Sequence, residues 1–282
     1  MYAGYEGEMN QSEFSVLVFT DMDGTLLDDH YDLQGAAYVL NEMYRHGVYT
    51  VPASSKTRAE LKAFAKTLIY EPPLIVENGA SVVWPESLSL PQECVEDTSE
   101  DEGAYASICS TLADLRAQYG YEFSGFADMS VDEICSLTGL DSTGALLAQQ
   151  RMASEPVSWA DSPEHLADFR AHLKQQDLML MQGGRFWHVM QNVDKGIAAD
   201  KVEKVLSKLW GVKPCVLACG DSANDLAMLE RAQGCVLFPQ RDGSYLQLAN
   251  KPCINARAPG TLTWLEAVNQ LLSVLDCEFS ST

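Results

Sequence analysis

Positive charge is what this chain has least of: 19 Lys and Arg stand against 40 Asp and Glu, for a net charge of −21. Like charges repel, so a nucleic-acid backbone or an anionic membrane surface is excluded as a partner. An anionic substrate would need a local pocket of Lys, Arg or metal ion, while most of the carboxylates read as a solubilising surface. Long apolar runs are also missing, so no membrane span is expected. Nor is there an internal repeat or a low-complexity tract. Cysteine is present but unorganised. The eight cysteines (94, 109, 135, 215, 219, 235, 253 and 277) form no CxxC pair, and several sit in apolar runs such as CVLACG and GCVLF. They read as buried reduced thiols of a cytoplasmic protein, not as a disulfide framework. Cys215 and Cys219 share a face of an expected strand, but no His or further Cys accompanies them to make a metal site. Residues 1–13 are acidic and polar, lack the basic start and apolar stretch of a signal peptide, and read as a short disordered lead.

What is present is enough for a substantial core. The chain has 282 residues, 46% of them hydrophobic, which suits one large or two modest domains. The run Val16–Phe19 is short, continuous and apolar, as a strand buried on both faces should be. Leu33, Ala36, Ala37, Leu40, Met43 and Tyr44 then form one helical stripe, stopped by Gly47. A second strand, Val48–Ala53, leads to Thr57 and Glu60, a capping box for the next helix. A third strand, Leu74–Val76, follows. Strand, helix, strand, helix, strand is the pattern of a parallel α/β sheet.

The rhythm changes between Trp84 and Trp187. Residues 93–102 hold six acids in ten and read as a solvated loop. Helices are expected over Tyr105–Gln118, Val131–Leu137 and Pro163–Leu173, and strands over Glu122–Phe126, Val157–Trp159, Leu178–Gln182 and Arg185–Met190. Gly183 and Gly184 would turn the last two strands into a hairpin. The five tryptophans read as core or rim packing, and His30, His46, His165 and His172 as surface residues. Parallel rhythm resumes with the helix Ile197–Leu209, the strand Cys215–Cys219, the helix Leu226–Ala232, the strand Cys235–Phe238 and the helix Leu262–Leu275. The fold class is therefore α/β: a doubly wound, Rossmann-like parallel-sheet core over residues 14–84 and 191–282, split by an inserted α+β cap over 85–190.

Carboxylates collect at strand ends. Asp21 and Asp23 follow the first strand; Asp221, Asn224 and Asp225 follow a later one. Ligands of open α/β sheets bind outside the carboxyl ends of the strands, so both clusters should meet at one edge. Gathered carboxylates repel, and a divalent cation with a taste for hard oxygen, Mg²⁺, would resolve this. Ser54 ends the second strand and Lys195 starts a helix at the same edge. Gly24 permits a tight turn that would free backbone N–H groups for an anion. Metal, ammonium, hydroxyl and amides together describe a phosphoryl site.

Asp21-Met22-Asp23-Gly24-Thr25, Ser54, Lys195 and the run Gly220–Asp225 resemble the four motifs of the haloacid dehalogenase-like phosphatases, in order. The large insertion between the second and third resembles the subclass with an α/β cap there. More narrowly, residues 54–60, Glu77-Asn78-Gly79-Ala80, residues 126–129, Gln150-Arg151 with Ser154-Glu155-Pro156, and residues 183–188 resemble mannosyl-3-phosphoglycerate phosphatases, over nearly the whole chain. Two departures are Ser54, where such proteins often have Thr, and the acidic stretch before Tyr105.

The resemblance implies a Mg²⁺-dependent phosphatase acting on a sugar-containing phosphate monoester. Asp21 would be the nucleophile and Asp23 the acid and base. Ser54 and Lys195 would hold phosphoryl oxygens. Asp21, Asp23 (through its backbone carbonyl) and Asp221 would bind the metal, and Asn224 and Asp225 would support that shell or Lys195. Lys56, Arg151, Arg185 and His188 are candidates for substrate contact, although Arg185 and His188, three apart, would point to opposite faces of a flat strand. The expected partner is a small phosphorylated sugar or glycosyl-glycerate, and the expected state a monomer or homodimer. Another sugar-phosphate phosphatase, a phosphosugar mutase and a non-catalytic phosphosugar-binding protein remain as alternatives.

Overall fold

The computed structural model describes residues 14–90 and 103–275. The lead expected over residues 1–13, the acidic stretch 93–102, Cys94 and Cys277 fall outside the described residues.

Five parallel strands make the core. In chain order they are β1 (Val16–Thr20), β2 (Val48–Pro52), β9 (Cys215–Gly220), β10 (Gly234–Leu237) and β11 (Cys253–Asn255). Their order in the sheet is β11-β10-β9-β1-β2, with Val16 in register with Val48 on one side and Cys215 on the other. β1 is buried along its whole length. Its residues alternate, as strand geometry requires: Val16 and Val18 face one apolar cluster, Leu17 and Phe19 the other. The first cluster is closed by the helices α1 (Leu33–Arg45), α2 (Arg58–Ala65) and α9 (Thr261–Val274); the second by α7 (Lys195–Trp210) and α8 (Leu226–Arg231). Helices on both faces of a parallel sheet make this a doubly wound α/β fold.

The expected third parallel strand behaves differently. β3 (Leu74–Val76) pairs antiparallel with β4 (Ser81–Val83) in a separate two-stranded ribbon. Its backbone is linked to the main sheet where Ala53 bridges Ile75 in parallel and the Ser54 amide donates to the Ile75 carbonyl at 2.9 Å. The turn between β3 and β4 is too tight to let the chain cross over, so the ribbon folds back instead.

The insertion builds its own sheet. β5 (Phe123–Gly125), β6 (Ser154–Trp159), β7 (Leu178–Gln182) and β8 (Trp187–Gln191) run antiparallel in the order β5-β6-β8-β7. α3 (Ala104–Tyr119) and α6 (Pro163–Gln175) pack on it around Phe123, Phe169 and Val189. α4 (Val131–Thr138) and α5 (Ser142–Ala148) form a smaller cluster with Phe126 and Ile134. Ser162 caps α6 by accepting from the His165 amide at 3.1 Å, with Pro163 in the first turn. The Gly183 amide donates to the Phe186 carbonyl at 2.9 Å and closes the expected β7–β8 hairpin. β4, α5 and β11 were not anticipated; each is short, and brief segments carry little periodicity. His172 is half-buried and stacked on Tyr119, so it is not a free surface group. Of the cysteines within the described residues, Cys219 and Cys235 are buried and Cys109, Cys135, Cys215 and Cys253 half-buried. The tryptophans pack: Trp210 and Trp264 are buried, and Trp84, Trp159 and Trp187 lie against the apolar clusters.

Trp264 ties α9 to the carboxyl end of β1. Its indole N–H donates to the Thr20 hydroxyl at 2.9 Å, and that hydroxyl donates to the Asp21 carbonyl at 2.9 Å. Replacing Trp264 by Phe loses the bond and leaves a void. Stability should fall by about 2 kcal/mol, read as a lower urea midpoint at unchanged slope.

Candidate active site

The order of strands reverses between β1 and β9, and the chain crosses from one side of the sheet to the other there. Asp21 leaves β1 and Asp221 leaves β9 at this point, where open α/β sheets bind ligands. The two loops are pressed together: a Cβ on Gly24 would lie 2.9 Å from Asp221 Oδ2, and Gly24 itself has φ +82. Only glycine fits such a backbone so close to a neighbour. Its own amide donates to the Leu27 carbonyl at 2.9 Å.

Beneath the loops lies Lys195, the first residue of α7 and fully buried. Its ammonium donates to Asp21 Oδ1 at 2.6 Å and to Asp225 Oδ1 at 2.7 Å. These carboxylates raise its pKa despite the opposing effect of burial, so it stays charged. Asp225 Oδ2 accepts from the amides of Asp221 and Ser222 at 3.0 and 3.1 Å. Both oxygens of Asp225 are therefore committed. Asn224 donates from Nδ2 to Asn78 Oδ1 at 2.9 Å and accepts from the Ser222 hydroxyl at 2.6 Å.

Carboxylate oxygens of Asp21, Asp221 and Asp225 lie within 4.8 Å of one another. Burial, and then the other carboxylates, push Asp21 up to about 7 and Asp221 up to about 8, against the pull of Lys195. Crowded, buried carboxyls that resist ionising are what a divalent cation would relieve. The donor set is all oxygen, which fits Mg²⁺. With Asp225 occupied by Lys195 and two amides, Asp21 and Asp221 are the side chains left to ligate.

A cavity of about 370 Å³ opens above this floor and is lined by Asp21, Asp23, Asp221 and Asn224, together with Lys56, Arg151, Arg185 and His188. Segments distant in sequence are thus brought to one space. Lys56 donates to Asp23 Oδ2 at 2.9 Å and lies 3.7 Å from Glu60, and their charges raise its pKa. Asp23 Oδ1 is buried and without a partner. Arg185 pairs with Asp29 and donates to the Thr138 carbonyl. It sits in the turn ahead of β8, not on the strand. The parity objection to Arg185 and His188 sharing a face therefore does not apply, and both line the cavity. His188 is buried; burial first, then the charges of Arg151 and Lys195, hold it down at about 3, so the imidazole is neutral. Ser54 is the exception. It is fully buried, its hydroxyl accepts from the Lys56 amide at 3.2 Å, and Ser55 takes its place on the cavity wall.

Tyr31 and Glu77 were missed in the sequence. Tyr31 lines the cavity at φ +52, its ring 5.2 Å from the Lys56 ammonium and 5.6 Å from the Arg185 guanidinium. A tyrosine after an Asp-Asp-His loop carries no pattern that would have singled it out. Glu77 stood within a quoted run but was given no task.

A family model for haloacid dehalogenase-like hydrolases matches residues 18–119. A glucosyl-3-phosphoglycerate/mannosyl-3-phosphoglycerate phosphatase of Persephonella marina is 31% identical over 271 residues, 93% of this chain and 98% of that protein. Among solved structures, a Thermoplasma acidophilum protein aligns with TM-score 0.61 and 18% identity, covering 94% of this chain and 100% of the other. The sucrose-phosphatase of Synechocystis sp. PCC6803, solved with sucrose and phosphate, aligns with TM-score 0.59 and 16% identity, covering 93% and 98%. At such identities these structures speak for the fold alone. Fold, strand-end carboxylates and buried lysine define a phosphoric monoester hydrolase. The chain belongs to the haloacid dehalogenase-like phosphatases and, within them, to the mannosyl-3-phosphoglycerate phosphatase family.

Metal binding requires the carboxyls of Asp21 and Asp221 to lose their protons. A carboxyl whose pKa is raised on folding stabilises fully below its unfolded value of 3.8 and loses that contribution as pH passes about 7 and 8. The gain in melting temperature on adding Mg²⁺ to chelator-treated protein should therefore grow as pH rises through that window. A gain that shrinks with rising pH would contradict this reading.

Proposed function

We propose that the protein hydrolyses the phosphate monoester of a glycosyl-3-phosphoglycerate, mannosyl or glucosyl, through an aspartyl-phosphate on Asp21. The observation that carries this is the Asp21 carboxylate held by Lys195 at 2.6 Å on the floor of a cavity roofed by the cap. The substrate itself is argued from the Persephonella marina relative's name and from the cap segments quoted above. We assign the core to residues 14–84 and 191–282 and the cap to 85–190.

Lys195 fixes one oxygen of Asp21, and the other makes no hydrogen bond among the described residues. Asp21 attacks phosphorus in line. The bond from phosphorus to the glycerate oxygen breaks with its electron pair on that oxygen, and Asp23 supplies the proton. Water then attacks the aspartyl-phosphate, Asp23 takes its proton, and inorganic phosphate leaves with Asp21 restored. The Lys56 ammonium holds Asp23 Oδ2 at 2.9 Å, and an arriving anion would compete for that ammonium. Mg²⁺, held by Asp21, the Asp23 carbonyl and Asp221, would neutralise charge on the phosphoryl oxygens. Asn224 orients this shell through Asn78, and Asp225 orients Lys195. Ser54 is kept as a phosphoryl contact on the resemblance alone. Arg151, Arg185 and His188 face the leaving group from the cap, and neutral His188 suits a hydroxyl better than an anion.

Phosphate release should be seen with mannosyl- or glucosyl-3-phosphoglycerate, faster than with other sugar phosphates in a panel. No release from either glycosyl-phosphoglycerate would sink the substrate assignment. Asp21→Asn should lower kcat by at least about a thousandfold while leaving the thermal transition cooperative; turnover retained within tenfold, on the order of 1 kcal/mol in barrier, would refute the nucleophile.

A further inference from the structure

Glu77 is a buried carboxylate for which the reaction outlined above has no use. It is 2% exposed and sits in the turn after β3, yet its side chain leaves the core and enters the cap. Oε1 accepts from the Met152 amide at 2.9 Å; Oε2 accepts from the Ala153 amide at 3.0 Å and the Ser154 hydroxyl at 2.8 Å. Arg151 Nη2 lies 3.6 Å from the same oxygen. All four partners belong to the short segment that opens β6. Charge-assisted bonds away from water are strong and fix geometry.

The backbone under Glu77 is tied to the phosphoryl site. Its amide donates to the Lys56 carbonyl at 3.0 Å, and that of Asn78 to the Ser54 carbonyl at 2.9 Å. The Asn78 side chain accepts from Asn224. A Cβ on Gly79 would lie 2.3 Å from the Asp194 carbonyl oxygen and 2.8 Å from the Lys195 nitrogen. One tripeptide therefore touches the segments carrying Ser54, Lys195 and Asn224. It does so in a left-handed conformation, with φ +46 at Glu77, +62 at Asn78 and +96 at Gly79. That conformation is costly for a residue with a side chain and persists only where the surroundings over-determine it. From the cap side, Arg151 donates to the Ser55 carbonyl at 3.0 Å, and from the core Thr57 donates to the Leu147 carbonyl at 2.9 Å.

We infer that Glu77 is a positioning residue, which fastens the 151–154 segment of the cap to the phosphoryl site and so presets the cavity wall that meets the leaving group. The functional part rests on the substrate proposed above; the joint itself does not. Glu77→Gln keeps size and one acceptor but turns an NH₂ toward groups that donate.

Two measurements test it. In the absence of substrate, amide exchange at Met152 and Ala153 should quicken by at least about tenfold in Glu77→Gln, with the β1 and β9 amides unchanged. Unchanged exchange at 152 and 153 overturns the joint. With substrate, KM for the glycosyl-phosphoglycerate should rise at least about tenfold with kcat within about threefold, and the loss in kcat/KM should exceed by about tenfold that for acetyl phosphate, whose leaving group is too small to reach the cap. Equal losses on both substrates, or a fall in kcat alone that matches a smaller folded fraction, mean a structural role only and overturn the inference. If the wild-type protein cleaves acetyl phosphate but no glycosyl-phosphoglycerate, the substrate assignment fails and the exchange measurement still decides the joint. Should Glu77→Gln not fold, Ser154→Ala removes one donor from the intact carboxylate and is expected to shift both readouts in the same direction.

Discussion

The site hangs on one buried ammonium. Lys195 opens α7, the worst place for a cation, because the start of a helix carries partial positive charge. It is also out of contact with water, where an unpaired charge would be costly. Two carboxylates, at 2.6 and 2.7 Å, offset both penalties. The N-cap Asp194 eases the helix start by accepting from the Ile197 amide, but it does not pair with the ammonium. The lysine's position sets that of Asp21 directly. Through Asp225 it also sets the amides of Asp221 and Ser222. The backbone on which it stands is gripped in turn by Gly79, where a methyl group would not fit. Removing one partner from such a cluster strands the others as buried, uncompensated charges.

The same economy of charge governs the cavity. In a chain of net charge −21, the basic groups that face the cavity from Lys56, Arg151 and Arg185 are each already engaged: with Asp23 and Glu60, with backbone carbonyls and Ser154, and with Asp29 and a carbonyl. Such cations are oriented before any ligand arrives, which lowers the entropy cost of recognition. They also discriminate. At Lys56 and Arg185 a simple anion must compete with a carboxylate, whereas a larger ester that meets both at once displaces them together. The Tyr31 ring, within reach of both Lys56 and Arg185, couples a cation of the core to one of the cap.

The core was legible because its signals are redundant. A strand buried on both faces must be a continuous apolar run, and the chemistry sits where each such run ends, so β1 announces Asp21 and β9 announces Asp221. The sheet order then follows from parallel strands joined by helices. Legibility failed where the periodicity was too short to register, as in β4, α5 and β11. It failed too where a rule was applied to the wrong element: Arg185 was weighed as a strand residue, but the strand begins at Trp187. The acidic cluster at the strand ends was legible, with Asp225 as a support and not a ligand, but which of its oxygens braces Lys195 and which takes the amides of Asp221 and Ser222 lies in hydrogen bonds that no spacing encodes.

Glu77 marks a different limit. Its sequence context, Glu-Asn-Gly after a strand, reads as an ordinary turn, and an acid in a turn reads as exposed. What buries it is a set of partners that includes two backbone amides, at Met152 and Ala153. Every residue but proline has such an amide, so no letter of the sequence could have announced them. The only trace is conformational, since a glutamate at φ +46 beside an asparagine at +62 is held there by its surroundings. Side chains that recognise side chains leave paired signals along a chain. Side chains that recognise backbone leave one, and that one looks like its bland alternative until the fold supplies the other half. A joint between core and cap is well served by this kind of contact, because the amides it grips survive any change of the residues that carry them, proline excepted.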